Sequence, residues 1–197
     1  MTVDSLLWYT IRGAGAVSLV LLTAILCLGI VSALRWSSPA WPRFLTVGLH
    51  RNLALLALVV LALHIVLAVV DPYTALGWRA AVIPFAVGYR RLWLGLGSVA
   101  LYLIVTLVVT SLLRQVIGLR LWRFVHWAAY ACWPVAMIHG MGTGSDFGLT
   151  WMVALDVVSA AAVVAAVGLR LRAGSVSISS PESAAALRPA VRAERPQ

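Results

Sequence analysis

The sequence predicts an all-α fold, a polytopic membrane bundle of five transmembrane helices. Hydrophobic residues make up 62% of the 197 residues and charged residues 11%, whereas soluble domains are about 45–50% apolar. The apolar residues are gathered in five runs, and each run exceeds the roughly 20 helical residues that cross a hydrocarbon core of about 30 Å. Arginines flank the runs. We therefore expect an integral membrane protein with no soluble catalytic domain beside the membrane part.

The five predicted spans cover residues 6–34, 44–70, 92–113, 119–140 and 149–169. The segment between the second and third spans is too long for a tight turn, and its apolar stretch around Ile83 is too short to cross the membrane. Its aromatic residues Trp78, Phe85 and Tyr89 favour an interfacial segment on the outer surface. From Ala173 onward the chain is rich in Ser, Ala, Pro and Arg without helical or strand periodicity. The predicted organisation is a membrane bundle over residues 1–172, followed by a disordered cytoplasmic tail, residues 173–197.

The arginines predict the orientation of the bundle. One side of the membrane collects Arg35, Arg43, Arg51, Arg114, Arg120, Arg123, Arg170, Arg172 and the tail, and the other has Arg12, Arg79, Arg90 and Arg91. The positive-inside rule then places the N-terminus outside and the C-terminus in the cytoplasm. Nucleic-acid binding is not expected, because the basic residues bracket apolar runs and do not cluster on one solvated face.

All fifteen basic residues are arginine. We interpret this as the codon bias of a GC-rich bacterial genome, and we expect a multi-pass protein of the plasma membrane.

The four histidines fall into two pairs within the apolar runs. His50 and His64 lie fourteen residues apart in the second span, and His126 and His139 lie thirteen apart in the fourth. The predicted topology makes these spans parallel, with His50 and His126 near the inner end and His64 and His139 near the outer end. Because polar groups inside a membrane are costly and usually face a functional interior, the matched pairs predict a site.

Imidazole binds zinc, copper and iron, but a zinc site takes three or four protein ligands, and no acidic or cysteine partner is close in sequence. Haem needs only two axial ligands, which two parallel helices with a porphyrin edge-on between them would supply, once per pair. At about 100° per residue, thirteen residues leave His139 about 140° away from the direction of His126. We therefore expect a distortion of the fourth helix, with Pro134 as its candidate position.

A different class of function stays open at this point. In a non-redox membrane protein, such as a small transporter or an assembly subunit, the histidines would only satisfy hydrogen bonds between helices.

Several motifs resemble the ferric reductase-like transmembrane domain family. These are the two histidine spacings, Tyr130, "SLLR" at 111–114, "WRFVH" at 122–126 and "HGMGTGSD" at 139–146. The family includes the membrane parts of NADPH oxidases and ferric-chelate reductases and the haem subunit of the bacterial methionine sulfoxide reductase system. The resemblance implies two haem b groups, with His50 and His126 on the inner haem and His64 and His139 on the outer haem. Family members usually have six helices with these ligands on the third and fifth, whereas here they are on the second and fourth.

The resemblance implies electron transfer across the lipid bilayer, from a cytoplasmic flavoprotein or a quinol to an acceptor outside. A separate donor is expected because no G-x-G-x-x-G motif follows a strand in this sequence. The alternative is a stand-alone ferric or oxygen reductase acting at the edge of the outer haem.

Haem propionates need cationic or hydrogen-bonding partners. On the inner side we expect them among Arg51, Arg114 and Arg123, with Arg114 first because it belongs to "SLLR". Near the outer side, Arg12 is expected to bridge Asp156 or an outer propionate.

Overall fold

The computed structural model describes residues 3–72, 74–144 and 148–178, and the regular elements in these ranges are helices. They are α1 (Val3–Ala33), α2 (Arg43–Val70), α3 (Gly77–Val82), α4 (Arg91–Leu112), α5 (Arg114–Ile117), α6 (Leu119–His126), α7 (Ala129–Thr143) and α8 (Thr150–Ile178). The predicted all-α class is confirmed.

Four of these helices are long and apolar enough to cross a membrane: α1, α2, α4 and α8. They confirm the first, second, third and fifth predicted spans as single helices. The last helix continues to Ile178, past residue 173, where the predicted tail begins. The rest of that tail, residues 179–197, lies outside the described residues.

The fourth predicted span is divided between α6 and α7, each shorter than the roughly 20 residues of a full crossing. The division falls at Trp127 and Ala128, where the Ala128 N–H donates to the Val125 carbonyl at 2.9 Å and the Tyr130 N–H to the Trp127 carbonyl at 3.0 Å. Such i→i−3 bonds turn the chain by about 120° per residue instead of about 100°, which rotates His139 toward the direction of His126. A distortion is therefore present at Trp127 and Ala128, whereas Pro134, the candidate position, lies inside α7.

Helix α1 lies at the centre of the packing and contacts α2, α7 and α8. The main apolar cluster joins three residues of α1 to one residue each of α7 and α8: Leu19, Leu26, Ile30, Trp133 and Val163. A buried hydrogen bond also joins α7 to α1, in which the Trp133 indole N–H donates to the Thr23 hydroxyl at 2.8 Å. These contacts fix α7 against α1.

Helix α4 packs against α7, and the segment before α4 folds over it. The short helix α3 belongs to this segment, and the Ser98 hydroxyl of α4 donates to the Ala80 carbonyl at 2.8 Å. Helix α2, in contrast, packs on α1 and α3, and its extensive contacts include neither α6 nor α7. It is the least buried of the four long helices. Helices α2 and α7 both contact α1, but the helices that carry the two histidine pairs do not pack closely on each other.

Candidate functional site: two histidine pairs

Both histidines of α2 bond to the backbone of α1. The His50 Nδ1 lies 3.0 Å from the Ile25 carbonyl oxygen, and the His64 Nδ1 lies 2.9 Å from the Ile11 carbonyl oxygen. In each case the residue four positions later on α1 is a glycine that adjoins the ring. An added Cβ would lie 3.4 Å from His50 Cε1 at Gly29 and 3.2 Å from His64 Cε1 at Gly15.

His139 of α7 has the same arrangement on α4. Its Nδ1 lies 2.8 Å from the Trp93 carbonyl oxygen. Gly97, again four positions later, adjoins the ring more tightly, because an added Cβ would lie 2.5 Å from His139 Cε1. The same arrangement therefore occurs for three histidines. Each ring lies beside a glycine of the neighbouring helix, and its Nδ1 bonds to the carbonyl four residues before that glycine.

His126, the last residue of α6, lacks this bond. Its Nδ1 is buried and has no hydrogen-bond partner in the structure. Its ring instead lies beside the Trp122 ring, with centroids 4.9 Å apart and planes tilted by 32°. The Trp122 indole N–H donates to the Ser111 hydroxyl of α4 at 3.2 Å.

The four rings meet as the two predicted pairs. Ring centroids are 6.4 Å apart for His50 and His126 and 6.5 Å apart for His64 and His139. Two imidazoles on opposite sides of one metal have centroids about 6.3 Å apart, because the metal–nitrogen bond is about 2.0–2.1 Å and the ring centre lies about 1.1 Å beyond the nitrogen. The spacing of both pairs fits one metal ion between the two rings.

The hydrogen bonds also show which ring nitrogen of these histidines can bind a metal. A carbonyl oxygen only accepts, so His50, His64 and His139 carry their proton on Nδ1 and keep the lone pair of Nε2 for a ligand. Among the described residues, no group of three or more His, Cys, Asp or Glu side chains is placed to hold a metal. The donor set of each pair is therefore two imidazoles, which fits a metal whose remaining ligands come from a macrocycle.

The arginines expected near the inner pair lie close to it in sequence. Arg51 follows His50, Arg123 lies one turn before His126, and Arg114 is three residues after Ser111. All three side chains are exposed. Among the described residues, no hydrogen bond or ring contact joins these arginines to a histidine, and their role toward propionates stays a prediction.

The expected pairing of Arg12 with Asp156 is not seen. No salt bridge joins these two residues, both of which lie in the described part of the chain. The Arg12 guanidinium lies instead over the Trp8 ring, 4.7 Å from its centroid, and Asp156 is buried on α8. Arg12 still directly follows Ile11, whose carbonyl bonds to His64.

Sequence reasoning missed the supporting residues on α1 and α4. Gly15 and Gly29 repeat, on the first span, the fourteen-residue spacing of His50 and His64 on the second. This equal spacing could have predicted the contacts from the sequence, because two antiparallel helices in contact place equally spaced residues side by side. Ser111 and Trp122 belong to the quoted motifs, but their contact with each other appears only in the structure.

The fold and the site together define a class: multi-pass membrane helical proteins that hold paired imidazoles between helices that do not pack closely on each other. Residues 14–137 match the ferric reductase like transmembrane component family. Since the match covers more than half of the chain, the chain belongs to this family, and the resemblance seen in the sequence is confirmed.

The matched region contains His50, His64 and His126 and ends two residues before His139. Of the motif "HGMGTGSD", Ser145 and Asp146 lie outside the described residues. A search of curated proteins and a search of solved structures found no match to the chain. Family membership implies a role in transmembrane electron transfer, with an electron donor and an acceptor as partners.

Proposed function

We propose that the chain carries electrons across the membrane through two b-type haems, one held by His50 and His126 and the other by His64 and His139. The centroid separations of 6.4 and 6.5 Å support this assignment most directly, because they suit two imidazoles on one iron. The open face of α2 toward α6 and α7 leaves the two ligand-bearing helices apart, as a macrocycle between them requires.

The orientation follows the arginine distribution, with the N-terminus outside and the C-terminus in the cytoplasm. Helices α6 and α7 together complete a fifth crossing. His50 and His64 are separated by about 21 Å along α2, most of the roughly 30 Å core, so the pairs lie toward opposite surfaces. The haems, when bound, supply one-electron redox chemistry at these two depths.

Two histidines on each iron leave no position open for oxygen, which favours electron transfer over chemistry at the metal. The inner pair faces the cytoplasmic side, where a flavoprotein reductase or a quinol donates, and the outer pair serves an acceptor outside. Arg51, Arg114 and Arg123 offset the negative charge of propionates at the inner surface, and Arg12 does so near the outer one.

The alternative, in which the histidines only tie helices together, accounts for three of the Nδ1 bonds. It does not account for the pairing of each ring of α2 with a ring on α6 or α7, helices on which α2 does not pack closely, nor for the Nε2 atoms left as acceptors. The paired geometry therefore favours the haem assignment.

The test is haem loss from single variants of the full chain, purified in detergent after expression with an adequate haem supply. His64→Ala and His139→Ala should remove chiefly one haem, and His50→Ala and His126→Ala chiefly the other, because nearby Leu and Ala side chains cannot replace an axial imidazole. Asn52→Ala, an exposed polar position on α2, is the matched control and should retain full haem. Full haem content in all four histidine variants would overturn the assignment.

A further inference from the structure

The fourteen-residue spacing seen on α1 and α2 also occurs on α4. Ser111 lies fourteen residues after Gly97, which places it about 21 Å further along the helix and within about 40° of the same face. On α1, the residues with this relation are Gly15 and Gly29, one beside each histidine of α2. Ser111 thus occupies on α4, beside the inner pair, the position that glycine occupies beside the other three histidines.

If His126 followed the pattern of the other three histidines, its Nδ1 would bond to the carbonyl four residues before Ser111. The Ser111 hydroxyl bonds to that carbonyl instead. It donates to the carbonyl of Leu107, the residue four positions earlier, at 2.6 Å, an oxygen that the Thr110 hydroxyl also reaches at the longer distance of 3.3 Å. It also accepts from the Trp122 indole N–H at 3.2 Å, which holds the Trp122 ring beside His126. In each of the other three cases, the equivalent carbonyl bonds to a histidine Nδ1. The buried Nδ1 of His126 has no partner.

An Nδ1–H···O=C bond makes an imidazole a stronger donor through Nε2 and stabilises the oxidised metal. Potentials of haem sites respond to such hydrogen bonding outside the ligands. Resting on the function proposed above, we infer that Ser111 raises the reduction potential of the His50–His126 haem by withholding the Leu107 carbonyl from His126. Ser111 is a positioning residue, since it acts through the Leu107 carbonyl and His126 and does not itself ligate the metal.

The experiment is a redox titration of the purified, haem-loaded full chain, followed by absorbance. Ser111→Gly restores the glycine-and-carbonyl pattern and should lower the potential of this haem. The reduced-to-oxidised ratio at a fixed ambient potential should fall about fivefold to tenfold, the equivalent of about one net hydrogen bond. The His64–His139 haem should keep its potential, and a parallel titration of His64→Ala assigns the two values.

Three further variants separate the causes. Ser111→Ala also removes the Ser111 hydroxyl from the Leu107 carbonyl and leaves only the longer bond from Thr110. It should shift the potential in the same direction, which covers a failure of Ser111→Gly to fold. Trp122→Phe keeps a ring beside His126 and the bond from Ser111 to Leu107, so it should leave the potential near the wild-type value. The control is Thr106→Gly, at an exposed position of α4. It also places a glycine, which lowers helix stability, within α4, and it should have no effect on the potential.

An unchanged potential in haem-loaded Ser111→Gly and Ser111→Ala would overturn the role of Ser111 and leave the proposed function intact. A shift in Trp122→Phe equal to that in Ser111→Gly would also overturn it, since the tryptophan contact would then set the potential. A wild-type chain that binds no haem would instead contradict the proposed function itself.

Discussion

The Nδ1 of His139 lies 2.8 Å from the Trp93 carbonyl oxygen, beside Gly97 one turn further along α4. His64 and His50 have the same relation to Gly15 and Gly29 on α1. These glycines belong to the site, because each lies directly against an imidazole ring, and at Gly97 and Gly15 the ring leaves too little space for a Cβ atom.

Alanine at these glycines should therefore reduce haem binding in a graded way. The added Cβ would lie 2.5 Å from the histidine ring at Gly97, 3.2 Å at Gly15 and 3.4 Å at Gly29. Since carbon contacts below about 3.5 Å lose van der Waals attraction, Gly97→Ala should displace His139 and lose most of the outer haem, with Gly15→Ala milder and Gly29→Ala mildest. The measurement is the haem-to-protein ratio of each purified variant.

The matched control is Gly168→Ala on α8, where an added Cβ meets nothing within 4 Å. It should keep full haem, because alanine favours the helix by about 1 kcal/mol over glycine. Equal haem content in Gly97→Ala and Gly168→Ala would contradict the predicted role of the glycine.

The ring planes predict a spectroscopic difference between the two haems. The planes are 81° apart for His64 and His139 and 62° apart for His50 and His126. In bis-imidazole ferric haem, nearly perpendicular ring planes give a highly anisotropic low-spin paramagnetic resonance spectrum. Both haems should show such a signal, more anisotropic for the outer one, which His50→Ala should retain. The rhombic spectrum of parallel imidazoles in both sites would contradict the observed ring geometry.

Arg114→Gln should lower the potential and the occupancy of the inner haem. A cation near a propionate offsets negative charge and so favours the reduced, less positive iron. The control is Arg120→Gln, a second exposed arginine of the same region, which should leave both quantities near wild type. Redox titration and haem quantification decide, and identical results for the two variants would mean that Arg114 contributes only to membrane orientation.

The buried bond between Trp133 and Thr23 should stabilise the bundle. Thr23→Val leaves the indole N–H without an acceptor, while Trp133→Phe leaves the Thr23 hydroxyl bonded to the Leu19 carbonyl at 2.8 Å. The double variant should lose less stability than the sum of the two single variants, by about 0.6 kcal/mol or somewhat more, as for hydrogen bonds between membrane helices. Thermal unfolding in detergent measures this, and strict additivity would mean that the bond contributes nothing.

Much of the fold was predictable because a hydrocarbon core imposes a length on every span. Four of the five predicted runs are single helices for that reason. The turn at Trp127 and Ala128 was not predictable, since neither residue breaks helices by itself and the i→i−3 bonds depend on the surrounding packing. Pro134 was the visible candidate, yet α7 accommodates it.

The histidine pairs were predictable from spacing and depth, while their supports were not fully so. Equal depth did not bring Arg12 and Asp156 into a salt bridge, because depth fixes one coordinate of a helix position and leaves its rotation undetermined. Ser111 illustrates the same limit, since its bond to Leu107 becomes significant only once Trp122 and His126 are placed around it.

The central claim is that the chain holds two haems between its histidine pairs. The most direct test is the ratio of haem b to protein in the purified wild-type chain, measured by the absorbance of its pyridine complex together with quantitative amino-acid analysis. The proposed function predicts a ratio close to two, with the low-spin spectrum of bis-histidine ligation. A ratio of one would contradict the second site, and a colourless protein obtained despite ample haem supply would contradict the account as a whole.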